Sequence, residues 1–237
     1  MAGEFGTTSW STVAAARDPD RATAEKALNR LCARYWRPLY VYFRHRGHSQ
    51  EDAADLTQEL FTQLLERGFP AQLSRSGGRL RSFLLACAEN LTRDMWEKQT
   101  TKKRGAGSAI LPLDLLEGEA SMFEGVSASS DPRERFDRVW AETLLANVLK
   151  RVEHELEATG RQALFQYLRD FLATGTSEEE YETVGVTLGI SEGAVRVAVH
   201  RLRRRFGKLL REEVGETVEC PEDLDAELHY LVEMVTK

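Results

Sequence analysis

Three carboxylates, Asp52, Asp55 and Glu59, recur at intervals of three and four residues and so share one face of a helix. Carboxylates grouped this way can bind a divalent cation and serve metal-assisted hydrolysis. They can equally form an acidic docking surface or a solvated face. No HExxH, P-loop, G-x-S-x-G or pair of His ligands accompanies them, and His154 beside Glu155 stands isolated. The expectation is a protein that is not an enzyme, with no catalytic residue, no metal and no cofactor.

A second grouping is basic. From Arg196 to Arg211 the chain places seven Lys or Arg (Arg196, Arg201, Arg203, Arg204, Arg205, Lys208 and Arg211) and no acid. The whole chain carries a net charge of -6, with acids gathered in 51–66, 178–182 and 212–233. A basic stripe on an acidic protein predicts a local contact with nucleic acid rather than coating by bulk charge. Cys32, Cys87 and Cys220 lie far apart without CxxC spacing, which suggests neither a zinc knuckle nor a disulfide framework. Cys32 and Cys87 fall within apolar patterns, as small buried thiols do.

The elements that must position these groups read as helices nearly throughout. Val, Ile and Thr build no alternating run and Pro is scarce, so the expected fold is all-α. Leu28, Leu31, Cys32, Tyr35, Trp36, Leu39 and Phe43 predict a helix over 21–46, with Pro38 a kink point and Gly47 its end. Ser49 with Asp52 resembles a capping box with a shortened acid. It opens a helix whose apolar face is Leu56, Leu60, Phe61, Leu64 and Leu65. Gly68 to Gly78 is a loop broken by Pro70 and Gly77-Gly78. A helix over 80–100 comes next, with Phe83, Leu84, Cys87, Leu91 and Met95 inward. Between Lys102 and Asp131 periodicity fades and Gly, Ser and Ala accumulate, which predicts a flexible linker with a short apolar patch at Ile110 to Leu116. A second helical block starts near Pro132, and an amphipathic tail helix runs from Pro221 to Val235. No apolar run approaches a bilayer span, and Met1 to Trp10 lacks the basic flank and apolar core of a signal peptide, so the cytoplasm is the expected compartment, with no membrane partner.

Within the second block, Tyr181, Val184 and Leu188 line the inner side of a short helix, and Gly185 leaves room for another helix to cross. Gly189 permits the positive φ of a sharp turn, Ile190 plugs the corner and Ser191 caps the next helix. Val195, Val199 and Leu202 then face inward. Together these spacings predict a DNA-binding helix-turn-helix from Glu178 to Lys208. Arg196, Val197, His200 and Arg201 are assigned to base or groove-edge contact, and Arg203, Arg204, Arg205 and Lys208 to phosphates. Ser191 and Glu192, at the start of the recognition helix, complete the set.

Asp52-Ala-Ala-Asp-Leu-Thr-Gln-Glu-Leu-Phe61 resembles the D-A-x-D-L-x-Q-E-x-F signature of bacterial sigma factors. Arg81-Ser-Phe-Leu-Leu-Ala and Asn90-Leu-Thr-Arg-Asp look like the promoter-melting helix of that family. The stretch from Ser191 to Arg205 is similar to its C-terminal recognition helix. The order and two-part layout resemble the extracytoplasmic-function type of the sigma-70 family. The Thr7-Thr8-Ser-Trp10 start and the acidic tail resemble a subgroup found in planctomycete-like bacteria.

The resemblance implies an alternative sigma factor that recruits core RNA polymerase and reads and melts promoter DNA. Asp55, Leu56, Gln58, Glu59 and Phe61, with Asp52, would meet the β′ clamp helices, and the β flap of the polymerase would be a further contact. The loop from Ser74 to Arg81, with Gly77, Gly78, Arg79 and Arg81, and the helix carrying Asn90, Arg93, Asp94, Trp96 and Lys98 would handle the downstream, minus-ten element. Physical sense agrees, because capturing a flipped base favours a Gly-rich loop beside stacking and basic side chains. The helix-turn-helix would bind the upstream, minus-thirty-five element. The implied domains are an extension over 1–20, a region-2-like domain over 21–101, a linker over 102–131, a region-4-like domain over 132–212 and an acidic extension over 213–237.

Many members of the family carry an acid where Ala54 stands, and its loss weakens the acidic face. Phosphorylation of Thr57 would restore charge there, which adds a Ser/Thr kinase to the expected partners. An anti-sigma factor is another, with the tail as one docking point. A polymerase-independent helix-turn-helix regulator is the rival function. It leaves the linker and the acidic helix without purpose.

Overall fold

The computed structural model describes residues 20–67, 79–101, 131–172, 178–218 and 220–236. Among them the structure is all-α: eight α-helices, two short 3-10 turns and no strand. The 77–78 glycine pair, the apolar patch at 110–116 and the Thr7–Trp10 start lie outside the described residues. No described helix is long and apolar enough to cross a membrane.

The first helix, α1, spans Arg21–His45. Asp20 caps it, accepting from the Thr23 backbone N–H at 3.1 Å and from the Thr23 hydroxyl at 2.6 Å. It runs through Pro38 and ends where Gly47 adopts a φ of 89°, a left-handed turn that favours glycine. Helix α2, Gln50–Arg67, opens at Ser49. The Ser49 hydroxyl accepts from the Asp52 N–H at 3.1 Å and donates to the Asp52 carboxylate at 2.7 Å. The shorter acid thus supports the cap through the serine hydroxyl. Helix α3 is Leu80–Thr101, and α4 is Pro132–Ala158. Then come α5 (Gln162–Leu168), a 3-10 turn (Arg169–Leu172), α6 (Glu178–Leu188) and α7 (Glu192–Gly215). A second 3-10 turn, Pro221–Asp223, leads into α8, Leu224–Thr236.

By their contacts the residues form two units, the first comprising Met1–Thr143 with Val214–Lys237 and the second Leu144–Glu213. The tail residues from Val214 onward thus group with the first unit, as do residues 132–143 of α4. In the first unit α1 packs on α2 and α3 around Tyr35, Leu39, Phe43, Leu56, Leu60 and Leu84, all buried. Phe61 stacks on Trp36, with centroids 6.0 Å apart and planes 10° from parallel. Each such side chain contributes about 1.5–3 kcal/mol on burial. The inward turn of Leu56, Leu60 and Phe61 therefore fixes the rotation of α2 and sets which carboxylates face water. In the second unit Val148, Val152, Phe165, Leu168, Phe171, Val195, Val199, Leu202 and Leu209 form one apolar cluster.

Candidate nucleic-acid interface

The turn between α6 and α7 is built as its residue types require. Gly189 has a φ of 66°. The Ile190 N–H returns to the Gly185 carbonyl at 3.0 Å, closing the end of α6. A side chain at Gly185 would place its first carbon 2.9 Å from the Ile190 carbonyl oxygen, so only glycine fits without backbone movement. Ser191 accepts from the Ala194 N–H at 3.3 Å through its side chain and from Val195 N–H at 3.1 Å through its carbonyl. Tyr181 and Val184 pack against the apolar cluster as expected. Ile190 does not plug the corner. It is 39% exposed, and only its backbone carbonyl approaches Gly185 closely.

With Val195, Val199 and Leu202 turned in, α7 presents Ser191, Glu192, Arg196, Val197, His200, Arg201, Arg204 and Lys208 to solvent. Val197 is 48% exposed, an apolar contact on an otherwise polar face. The Arg196 guanidinium donates to Glu192 at 2.6 and 2.8 Å, lies 3.4 Å from Glu178 and sits 4.6 Å from the Tyr181 ring centroid. The hydrogen bond to Glu192, then the surrounding acids, hold it above the usual arginine range. Arg196 is thus oriented before any ligand arrives.

Two of the expected phosphate-binding arginines have other duties. Arg203 donates through Nε and Nη2 to the Phe171 carbonyl at 3.0 and 2.7 Å. Arg205 forms a double hydrogen bond with Glu155 at 2.7 and 2.5 Å, which lowers the Glu155 carboxyl below its ordinary range. Both contacts have one cause. At about 100° per residue, Arg205 lies only some 60° from the inward Leu202, and Arg203 comes four residues after Val199. Both flank the buried stripe, whereas Arg204 and His200 oppose it. Glu155 is likewise no idle surface neighbour of His154.

On α2, Glu51, Asp52, Asp55, Gln58 and Glu59 are exposed. Leu56 and Phe61, expected to touch a partner, are 2% and 5% exposed and instead hold the acidic face outward. Ala54 is 1% exposed, so an acid there would be desolvated rather than added to that face. Thr57 is fully buried and donates its hydroxyl to the Ala53 carbonyl at 2.7 Å. A kinase cannot reach that hydroxyl while the helix is folded, which contradicts the expected site of phosphorylation. Among the described residues no three His, Cys, Asp or Glu side chains gather to hold a metal ion.

On α3, Asn90, Arg93 and Asp94 are exposed, while the side chains of Trp96 and Lys98 lie outside the described residues. Arg93 and Thr92 border an open polar cavity of about 880 Å³ shared with Tyr42, Arg46, His48 and Arg133. Arg133 is paired with Glu89 across 2.7 Å, and burial pulls His48 below its ordinary range. Arg79 and Arg81, assigned by the sequence to DNA, are placed differently. Arg81 is 5% exposed and paired with Glu227 of α8 at 2.7 Å and Asp137 of α4 at 2.6 Å. Arg79 is half-buried and meets the same Glu227 at 2.9 Å. Nothing in the local pattern of α3 signals this, because the partner carboxylate comes from 146 residues further along the chain.

The chain has a relative among known proteins. The chain is 32% identical over 170 residues to the ECF RNA polymerase sigma factor ShbA of Streptomyces griseus, a match covering 70% of this chain and 75% of that protein. No family model matches the chain, and no solved structure does. At that identity and coverage the chain belongs to the extracytoplasmic-function RNA polymerase sigma factors, proteins of transcription initiation.

Proposed function

We propose that the chain binds core RNA polymerase through the exposed carboxylates of α2, reads the minus-thirty-five element with α7 and handles the minus-ten element with α3. The observation that carries this reading is the segregation of charge. Asp52, Asp55 and Glu59 crowd one exposed helix face, while His200, Arg201, Arg204 and Lys208 stand on another that carries no acid between Glu192 and Glu212. A duplex repels the first face and attracts the second. Arg196, held by Glu192 above Tyr181, supports assignment to a base edge, since an oriented fork suits a guanine. Arg201, Arg204 and Lys208 suit phosphates. On α3 the exposed contact set is Asn90, Arg93 and Asp94, with Trp96 and Lys98 beyond them, while Arg79 and Arg81 are engaged by Glu227 in the free chain.

On this reading the chain has no chemistry of its own, and the 102–131 segment spans two promoter elements. A place in the planctomycete-like subgroup rests on the Thr7–Trp10 start and the acidic tail. The test is co-purification with core polymerase, comparing the parent with a chain carrying Asp55→Asn and Glu59→Gln together. The parent should be retained at micromolar or lower concentration, and the double variant at least about tenfold more weakly, for loss of about 1.4 kcal/mol. Equal retention would remove α2 from the polymerase contact. No retention of either would favour a polymerase-independent DNA-binding regulator.

A further inference from the structure

Glu227 is a carboxylate with no exposed surface, on a helix otherwise fitted to cover apolar residues through Leu231 and Met234. Burying such a charge is costly unless partners surround it. Here both partners are arginines of the α3 start. Arg81 donates through Nε to Oε1 at 2.7 Å and through Nη2 to Oε2 at 3.3 Å, and Arg79 approaches Oε2 at 2.9 Å. Asp137 neutralises the second cation, accepting from Arg81 Nη1 at 2.6 Å. The Tyr230 hydroxyl donates to the other Asp137 oxygen at 2.7 Å, and its ring lies 4.1 Å from the Arg81 guanidinium carbon, with Trp140 at 5.1 Å. Desolvation alone would lower the Arg81 pKa, but Glu227 and Asp137 outweigh it and the net shift is upward. A second tie, Arg34 to Glu216, fastens the segment before α8 to α1. Every one of these residues belongs to the first unit.

A carboxylate cradled by two guanidinium groups and flanked by an aromatic ring reproduces what a nucleotide phosphate and base would offer the same arginines. We infer that α8 is a built-in competitor for the promoter strand. Glu227 occupies Arg79 and Arg81, and Tyr230 covers Arg81, so the free chain holds its downstream DNA surface closed until α8 is lifted. The inference rests on the proposed role of the α3 region in strand binding. It accounts for a buried, doubly paired acid that packing alone would not demand. It also alters what a regulator must do, since any partner that draws α8 away opens the site.

The experiment measures binding of a fluorescein-labelled random-sequence single-stranded 15-mer to the full-length parent, Glu227→Gln and Tyr230→Phe, by anisotropy against salt. Glu227→Gln should bind at least about fivefold tighter, with a salt slope steeper by about 0.7 for the one cation, Arg79, that it frees while Asp137 still pairs Arg81. Arg79→Ala on the Glu227→Gln background should cancel most of that increment. Tyr230→Phe, which removes one hydrogen bond and leaves the charges intact, should gain in the same direction by less. If Glu227→Gln lost its helical circular dichroism, Tyr230→Phe would decide alone. Unchanged or weaker binding, with or without a lower melting temperature, would mean the quartet only braces the fold and would overturn the inference. Promoter-dependent transcripts from the parent holoenzyme with no such gain would overturn it while leaving the sigma reading standing. Tighter strand binding without such transcripts would support the closed site and count against the promoter reading.

Discussion

Arg203 and Arg204 are neighbours in the chain with different work to do. Arg203 spends two N–H groups on the Phe171 carbonyl, whereas Arg204 is exposed on the face opposite Leu202. Arg203→Ala leaves that carbonyl without its donors and should destabilise the fold by about 1–3 kcal/mol, seen as a lower urea midpoint, with the salt slope of duplex binding unchanged. Arg204→Ala should leave the midpoint alone and flatten the slope by about 0.9, the share of one phosphate. If the two variants exchanged these phenotypes, the sorting of α7 into structural and DNA-facing arginines would be wrong. The types of both residues were legible as DNA-binding, but their duties were not. Charge alone does not separate an arginine that reaches solvent from one that reaches back to a carbonyl 32 residues earlier. The angular distance from the buried stripe does separate Arg205, and reading that angle would have set it apart.

At the scale of elements, periodicity was a sound guide wherever one face was apolar. The described helices start and stop close to where Gly47, Ser49 and Gly189 predict, because a capping oxygen or a positive φ is a local requirement. Local reasoning was less sure about which outward residues are accessible. Leu56, Phe61 and Thr57 sit in a motif that reads as a binding surface, yet the helix rotates them inward. The α6–α7 crossing yields a sharp prediction. Gly185→Ala gains helix propensity of up to about 1 kcal/mol but forces a carbon to 2.9 Å from a backbone oxygen that cannot swing aside. The crossing should open, costing about 1–3 kcal/mol net and weakening duplex binding beyond the loss of stability. A variant as stable as the parent would show that the turn has slack.

For the whole molecule, the least legible feature was the tail. Its amphipathic pattern announced a helix, and its acids suggested an extension with a docking point for a partner. Instead its buried face joins the first unit, with Glu227 and Glu216 meeting arginines far back in the chain. No periodicity encodes a pair separated by 146 residues, so only the folded chain displays it. On the proposed reading, one protein carries an acidic face for polymerase, a basic face for duplex DNA and a downstream surface closed by its own C-terminal helix. The central claim is that the chain directs core polymerase to promoters. The most direct measurement is 5′-end sequencing of transcripts made in vitro on genomic DNA by core polymerase, with and without the chain. The account predicts a set of start sites present only with the chain and sharing two upstream motifs, one near minus ten and one near minus thirty-five. An identical set of start sites in both reactions would contradict it.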